Sequence, residues 1–259
     1  MRAWILALLL GCAQQVPPPG PAPLVSPLDD WGRLVDQATR EGGVDWRLLA
    51  DQRATLDEVL SWNAEHGPES SRVPESKEDE RLASLLNIYD AEVVGAVLDR
   101  VWQSGADAAL LRVPARQIRE DLAFRVDNEW ITLERMARYR VLASFEEPAI
   151  HAALYRGTAD GPRLRYWRPE TLDATLTRAM SDWLERDGGL RQEGDSYALN
   201  GDLAREYKDF RDWDGAGNLC VALVEYTSGE AQRWMIHHLE DCPLRTFEPE
   251  DRLDGLTRP

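Results

Sequence analysis

Few residues in this 259-residue chain have the types and spacing that chemistry requires. His151 stands in the apolar stretch Ile150-His151-Ala152-Ala153, where an imidazole can act as a proton acceptor or sit as a satisfied core group. Asn87, Tyr89 and Asp90 fall within one apolar helical pattern; they could line a pocket with His151, or hydrogen-bond loop backbone. Arg156, Arg163, Arg165 and Arg168 surround Gly157, Gly161 and Pro162. Guanidinium groups grip carboxylate or phosphate bidentately, so this loop is a candidate anion site, with surface ion pairing as the competing reading. Ser144 and Thr158 lie near His151 but lack the glycine elbow and orienting acid that activate a hydroxyl. His237-His238, followed by Glu240 and Asp241, invites a metal reading, yet adjacent residues of a strand point to opposite faces and cannot easily share one ion. The expectation is no metal site and no cofactor.

The elements that must hold these residues are mostly helices. Leu82, Leu85, Leu86, Tyr89, Val93, Val97 and Leu98 recur at helical spacing, which makes this segment the expected spine of the core. Leu56, Val59 and Leu60 share a face of a preceding helix over 54–64, and the polar stretch Glu65 to Asp79 between the two reads as a loop. Leu122 to Leu133 alternates around Asp127-Asn128, a hairpin signal, with Thr132 as the N-cap of a following helix. A second hairpin is expected in Leu190 to Leu199, turning at Gly194-Asp195. Helical patterns cover 133–143, 149–156, 169–186, 202–210 and 217–226, and 234–247 reads as a strand-like tail. The expected class is α+β, with a mainly helical body and short antiparallel hairpins.

Composition narrows the partners. With 46 acids against 30 bases the formal net charge is −16, and no basic stripe exists to displace the counterions of a nucleic acid. Of the three cysteines, Cys220 and Cys242 either pair in an oxidising compartment or stay apart, Cys220 being equally natural as a buried thiol on an apolar helix. Cys12 has a different context. Arg2, an apolar run from Ala3 to Leu10 too short to span a bilayer, and Leu9-Leu10-Gly11-Cys12 together resemble a bacterial lipobox. Residues 1–11 then read as a lipoprotein signal peptide, 12–27 as a lipidated cysteine with a Pro-rich tether, and 28–259 as one α+β domain. Ala13 after the cysteine, by the same resemblance, favours the periplasmic face of the outer membrane, with the membrane as a partner through lipidated Cys12.

Several segments, in order, resemble the family known as domain of unknown function 547. They are Gly43-Val44-Asp45-Trp46 with Leu56 and Leu60, Asn87-Ile88-Tyr89-Asp90-Ala91, the hairpin ending Ile131-Thr132-Leu133, Glu147 to Leu154, Tyr207-Lys208-Asp209-Phe210, and Asp241-Cys242-Pro243-Leu244-Arg245. The resemblance spans about Asp30 to Phe247. It implies two cysteines after the histidine segment, where this chain has Arg156 and Gly161, and a Glu-His pair where this chain has Ala137 and Arg138. It also implies asparagine at Asp90 and tryptophan at Cys242. Arginine remains protonated at neutral pH and glycine has no side chain, so neither replaces a thiolate.

These readings favour a lipid-anchored envelope protein with a non-catalytic binding or structural domain, whose partner is an envelope protein or a small-molecule ligand. The alternative is a hydrolase or transferase with a rebuilt pocket around His151. A protein-docking role would require an exposed apolar patch, built from several of the ten tryptophans.

Overall fold

The computed structural model describes residues 26–40, 43–68, 77–102, 112–145, 147–186, 188–206, 217–249 and 251–254. Residues 1–25, with Cys12 and most of the tether, and Tyr207-Lys208-Asp209-Phe210 lie outside the described residues.

The chain enters through α1 (Leu28–Ala38), which buries Trp31, Leu34, Val35 and Ala38 at i, i+3, i+4 and i+7. A minimal antiparallel pair, β1 (Thr39–Arg40) and β2 (Gly43–Val44), leads to α2 (Trp46–Asp51). Asp45 caps α2, its carboxylate accepting from the Leu48 amide at 3.1 Å. Next come α3 (Arg53–Glu65) and the 23-residue α4 (Glu78–Arg100). Helix α4 is buried from Leu85 through Leu98, as a helix must be that is surrounded by protein on all sides. Glu78, Asp79 and Glu80 at its start and Arg100 at its end suit the helix dipole.

Beyond α5 (Ala115–Glu120), β3 (Ala123–Val126) and β4 (Glu129–Thr132) form the expected hairpin. Asp127 and Asn128 both adopt positive φ, 54° and 65°, the conformation a two-residue turn needs to match strand twist. The turn docks on the end of α3: the amides of Asp127 and Asn128 donate to the carbonyls of Asn63 and Ala64, and Asn128 Nδ2 donates to Glu65 O at 3.2 Å. Three carbonyls that a helix terminus leaves unpaired thereby gain donors. Thr132 caps the next helix through its hydroxyl, which accepts from Arg135 N.

That helix departs from the expected regular α-helix. Only α6 (Leu133–Met136) is α-helical; Ala137–Leu142 is a π-helix, in which Ala143 N donates five residues back to Arg138 O. The stretch expected as a helix over 149–156 is a short 3-10 turn, Pro148–Ala152. A 3-10 turn at Pro169–Thr171 starts α7 (Leu172–Glu185). Strands β5 (Leu190–Glu193) and β6 (Ser196–Asn200) form the second hairpin, followed by α8 (Gly201–Arg205), α9 (Leu219–Leu223) and α10 (Gly229–His237).

The strand-like tail is corrected here. Trp234 to His237 is helical, because Trp234 packs against Tyr197 with ring centroids 5.3 Å apart and donates to Asp195 O, while Met235 is buried. Only β7 (Arg245–Phe247) is extended, and it pairs parallel to β6, so the three-stranded sheet β5-β6-β7 is mixed. The class is α+β with a mainly helical body. One continuous core extends from Trp31 to Leu253. It includes Trp31, Trp46, Trp167 and Trp183, whereas Trp130 is 71% exposed.

A C-terminal strap closes this core against the loop after the 3-10 turn. Val113 N donates to Asp251 O, Ala159 N to Arg252 O, and Asp254 N to Gly157 O. Gly157 has φ +74°, and an added Cβ would sit 3.0 Å from Val97 Cγ2, so glycine fits both the backbone conformation and the close approach to α4.

Candidate functional site

Helix α4 forms the floor of a cleft of about 850 Å³ through Tyr89 and Val93. One wall is α5 with α6 and the π-helix, presenting Ile118, Arg119, Glu134 and Arg138; the other is Tyr155, Arg156 and Thr158 with Asp202, Arg205 and Glu206. A smaller lobe of about 260 Å³ shares Tyr89, Arg119, Glu134, Arg138, Arg156 and Glu206 with it and adds His151, Ala137, Leu142, Ala143 and Leu154. The π-helix shapes this lobe, since its wider turn puts Ala137, Arg138 and Leu142 on the lining together.

Two groups of ion pairs organise the walls. Arg156 and Arg205 both pair with Asp202. Across the cleft, Arg119 and Arg138 both pair with Glu134, at 3.0 and 2.8 Å. Arg156 is the inner member, 8% exposed, with its guanidinium carbon 5.6 Å from the Trp183 ring centroid. Burial lowers its pKa to about 10, and the nearby charge of Arg119 adds to the lowering. Burial also pushes the Tyr89 hydroxyl up to about 12, against the pull of Arg119 and Arg156. The two guanidinium groups and the Tyr89 hydroxyl therefore share one electrostatic neighbourhood.

His151 is 2% exposed and lines the smaller lobe. Asn87 and Asp90 line neither lobe. Asn87 makes two buried bonds to the backbone of Trp167, donating to its carbonyl at 2.8 Å and accepting from its amide at 3.0 Å. Asp90 accepts from Trp167 Nε1 at 3.0 Å and from Tyr155 N at 3.3 Å. Its pKa is raised well above the usual carboxylate range by burial, in spite of those two bonds. Their work is to fix the segment 155–167 to α4, which places Arg156.

The four-arginine loop does not form one site. Arg163 and Arg165 line a separate concavity of about 350 Å³, where Arg165 pairs with Asp182, and Arg168 pairs with Asp36 at 3.3 Å. Arg156 instead shares the cleft with Arg138, a position that the resemblance singles out, and with Arg119, Glu134, Asp202 and Glu206, which belong to none of the motifs. Their only sequence signal is charge, which many exposed residues of this chain share.

Ser144 is exposed, and Thr158 is buried beside Gly161, whose added Cβ would lie 2.8 Å from Thr158 Oγ1. His237 ends α10 and His238 follows it, so the strand argument about their faces does not apply. His238 Nδ1 lies 3.1 Å from Asp241 Oδ1, and its ring is 4.4 Å from that of Trp234. Among the described residues no group of three or more His, Cys, Asp or Glu side chains is arranged to hold a metal ion. Cys220 and Cys242 are joined by a disulfide, with Cα atoms 5.5 Å apart. Among the described residues no helix is long and apolar enough to cross a membrane.

No curated protein and no solved structure matches the chain. A family model does, over residues 73–184, narrower than the stretch from Asp30 to Phe247 in which segments resemble the family. Within those residues lie Tyr89, Arg119, Glu134, Arg138, His151 and Arg156, and positions 137, 138, 151 and 156, which the resemblance had singled out, all line the smaller lobe. Residues 73–184, which carry α4 and most of the cleft, are thus similar to the family described as protein of unknown function, DUF547.

Proposed function

We propose that this chain is a lipid-anchored protein of the bacterial envelope, held by Cys12 at the periplasmic face of the outer membrane, whose domain binds a small molecule in the cleft without turning it over. The observation that carries the binding reading is Arg156. It occupies a position where the resemblance implies a cysteine, and it is buried inside the cleft, paired with Asp202 and packed on Trp183. A fixed cation there offers a ligand contact but no nucleophile. At Gly161, the second such position, the space a side chain would need is occupied by Thr158. The apolar run and Leu9-Leu10-Gly11-Cys12 support the anchor, and several acyl chains together would hold it stably.

The competing reading, a hydrolase or transferase built around His151, is favoured by one fact: His151 and Tyr89 line the same lobe. Two measurements separate them. Fractionation of cells making the full chain should recover it with the membrane and recover Cys12→Ser in the soluble fraction; membrane recovery of both forms overturns the anchor. A ligand panel read by thermal shift should give stabilisation without product formation. Ester or thioester turnover that disappears in His151→Ala overturns the binding-only reading.

A further inference from the structure

Two arginines from different elements line the same small lobe. Arg156 follows the 3-10 turn and Arg119 lies on α5; each reaches the lobe as part of a pairing in which one carboxylate serves two guanidinium groups. Among the described residues the Asp202 group has two guanidinium groups to one carboxylate, whereas Arg119 also pairs with Glu120 at 3.6 Å. Among the described residues that line the lobe, Arg119, Arg138 and Arg156 stand against Glu134 and Glu206, although the chain carries a net charge of −16. An excess of one positive charge among these lining residues runs against the average charge of the chain. Tyr89 supplies a hydroxyl donor on the floor, while Ala137, Leu142 and Leu154 supply an apolar side.

We infer that the smaller lobe binds an organic carboxylate, its oxygens held between Arg119 and Arg156 with the Tyr89 hydroxyl as a third donor, and its hydrocarbon part lying against Leu142 and Leu154. This rests on the binding reading above and names the ligand class of that same cleft. Guanidinium groups suit a planar carboxylate because two parallel N–H donors match its two oxygens. The apolar side distinguishes an organic acid from inorganic phosphate, which has nothing to place there. Burial is the main cause of the lowered Arg156 pKa and repulsion from Arg119 adds to it; that repulsion is relieved when an anion enters between them.

The test is calorimetric titration of the purified full chain with hexanoate, benzoate, hexanamide and inorganic phosphate. Hexanoate and benzoate should bind, and hexanamide and phosphate should bind at least about tenfold more weakly. Arg119→Gln should weaken hexanoate by about tenfold, and Glu206→Gln, which removes a nearby negative charge, should tighten it several-fold. These variants alter partly exposed wall residues and leave Arg156 and its buried pairing in place. A general loss of structure would weaken binding in both, so opposite signs report charge. Equal binding of hexanamide and hexanoate overturns the carboxylate assignment while the cleft remains a binding site. Phosphate binding as tightly as hexanoate overturns the organic preference. Hydrolysis of hexanamide by water to hexanoate and ammonium, abolished by His151→Ala, overturns the non-catalytic reading while leaving anion recognition standing. Absence of binding by either carboxylate overturns the inference.

Discussion

Glu92 sits on α4 with 6% of its surface exposed, and burial pushes its carboxyl from an ordinary 4.5 up to about 8. A carboxyl whose folded pKa is raised binds more protons in the folded than in the unfolded protein throughout the interval between the two values. Its contribution to stability is therefore full below the unfolded pKa and is lost as pH rises toward the folded one. Linkage with these two values gives a loss of about 2.5 kcal/mol between about pH 5 and 7, and about 1 kcal/mol more by pH 8. Glu92→Gln keeps the shape and removes the ionisation. Urea unfolding of the wild-type chain and Glu92→Gln, repeated at intervals across that range, isolates the effect because other titrating groups are common to both. The stability advantage of Glu92→Gln over wild type should widen by about 2.5 kcal/mol from pH 5 to 7 and level off above about pH 8.5. A difference that stays flat within about 0.5 kcal/mol would refute the burial of an ionising carboxylate at this position. An advantage that shrinks with rising pH would instead mean that the charged form is the one favoured by folding.

Two further perturbations test the packing that sets the cleft. Asn87→Ala removes both bonds to the Trp167 backbone and leaves its buried amide and carbonyl unpaired; a cost of about 2 to 4 kcal/mol in urea unfolding is expected, and less than about 0.5 kcal/mol would mean that these groups find other partners. Cys220→Ala with Cys242→Ala opens a loop whose ends are 22 residues apart, which should cost about 3 kcal/mol. An assay of the denatured, unreduced wild-type protein that finds two reactive thiols at these positions would exclude the bond outright.

Much of the local structure was legible from residue order because local burial repeats with the period of the element. The apolar spacing of Leu82 to Leu98 announced α4, and Asp127-Asn128 between alternating residues announced a hairpin whose turn needs two positive φ values. The same logic misread Trp234 to Phe247, where an aromatic and aliphatic run resembles a strand. Contacts of Trp234 with Tyr197 and Asp195, distant in sequence, are consistent with a helix there. It also missed the π-helix, since a single extra residue per turn leaves the apolar spacing over 133–143 nearly unchanged.

Residue order alone carries the helical class, the positions of α4 and the two hairpins, and a short set of polar residues near His151. Which of those residues meet was decided only by tertiary structure. Asn87 and Asp90 turned to hold Trp167 and Tyr155, Arg163 went to a different concavity, and Arg156 joined Arg119, Arg138, Glu134, Asp202 and Glu206. The physical reason is that side-chain periodicity reports burial, which is a property of one element, whereas charge pairing depends on distance between elements. In a chain with 30 bases and 46 acids, charge alone permits many pairings, and the packing of α5, α6 and α8 around α4 selects the few that line the cleft.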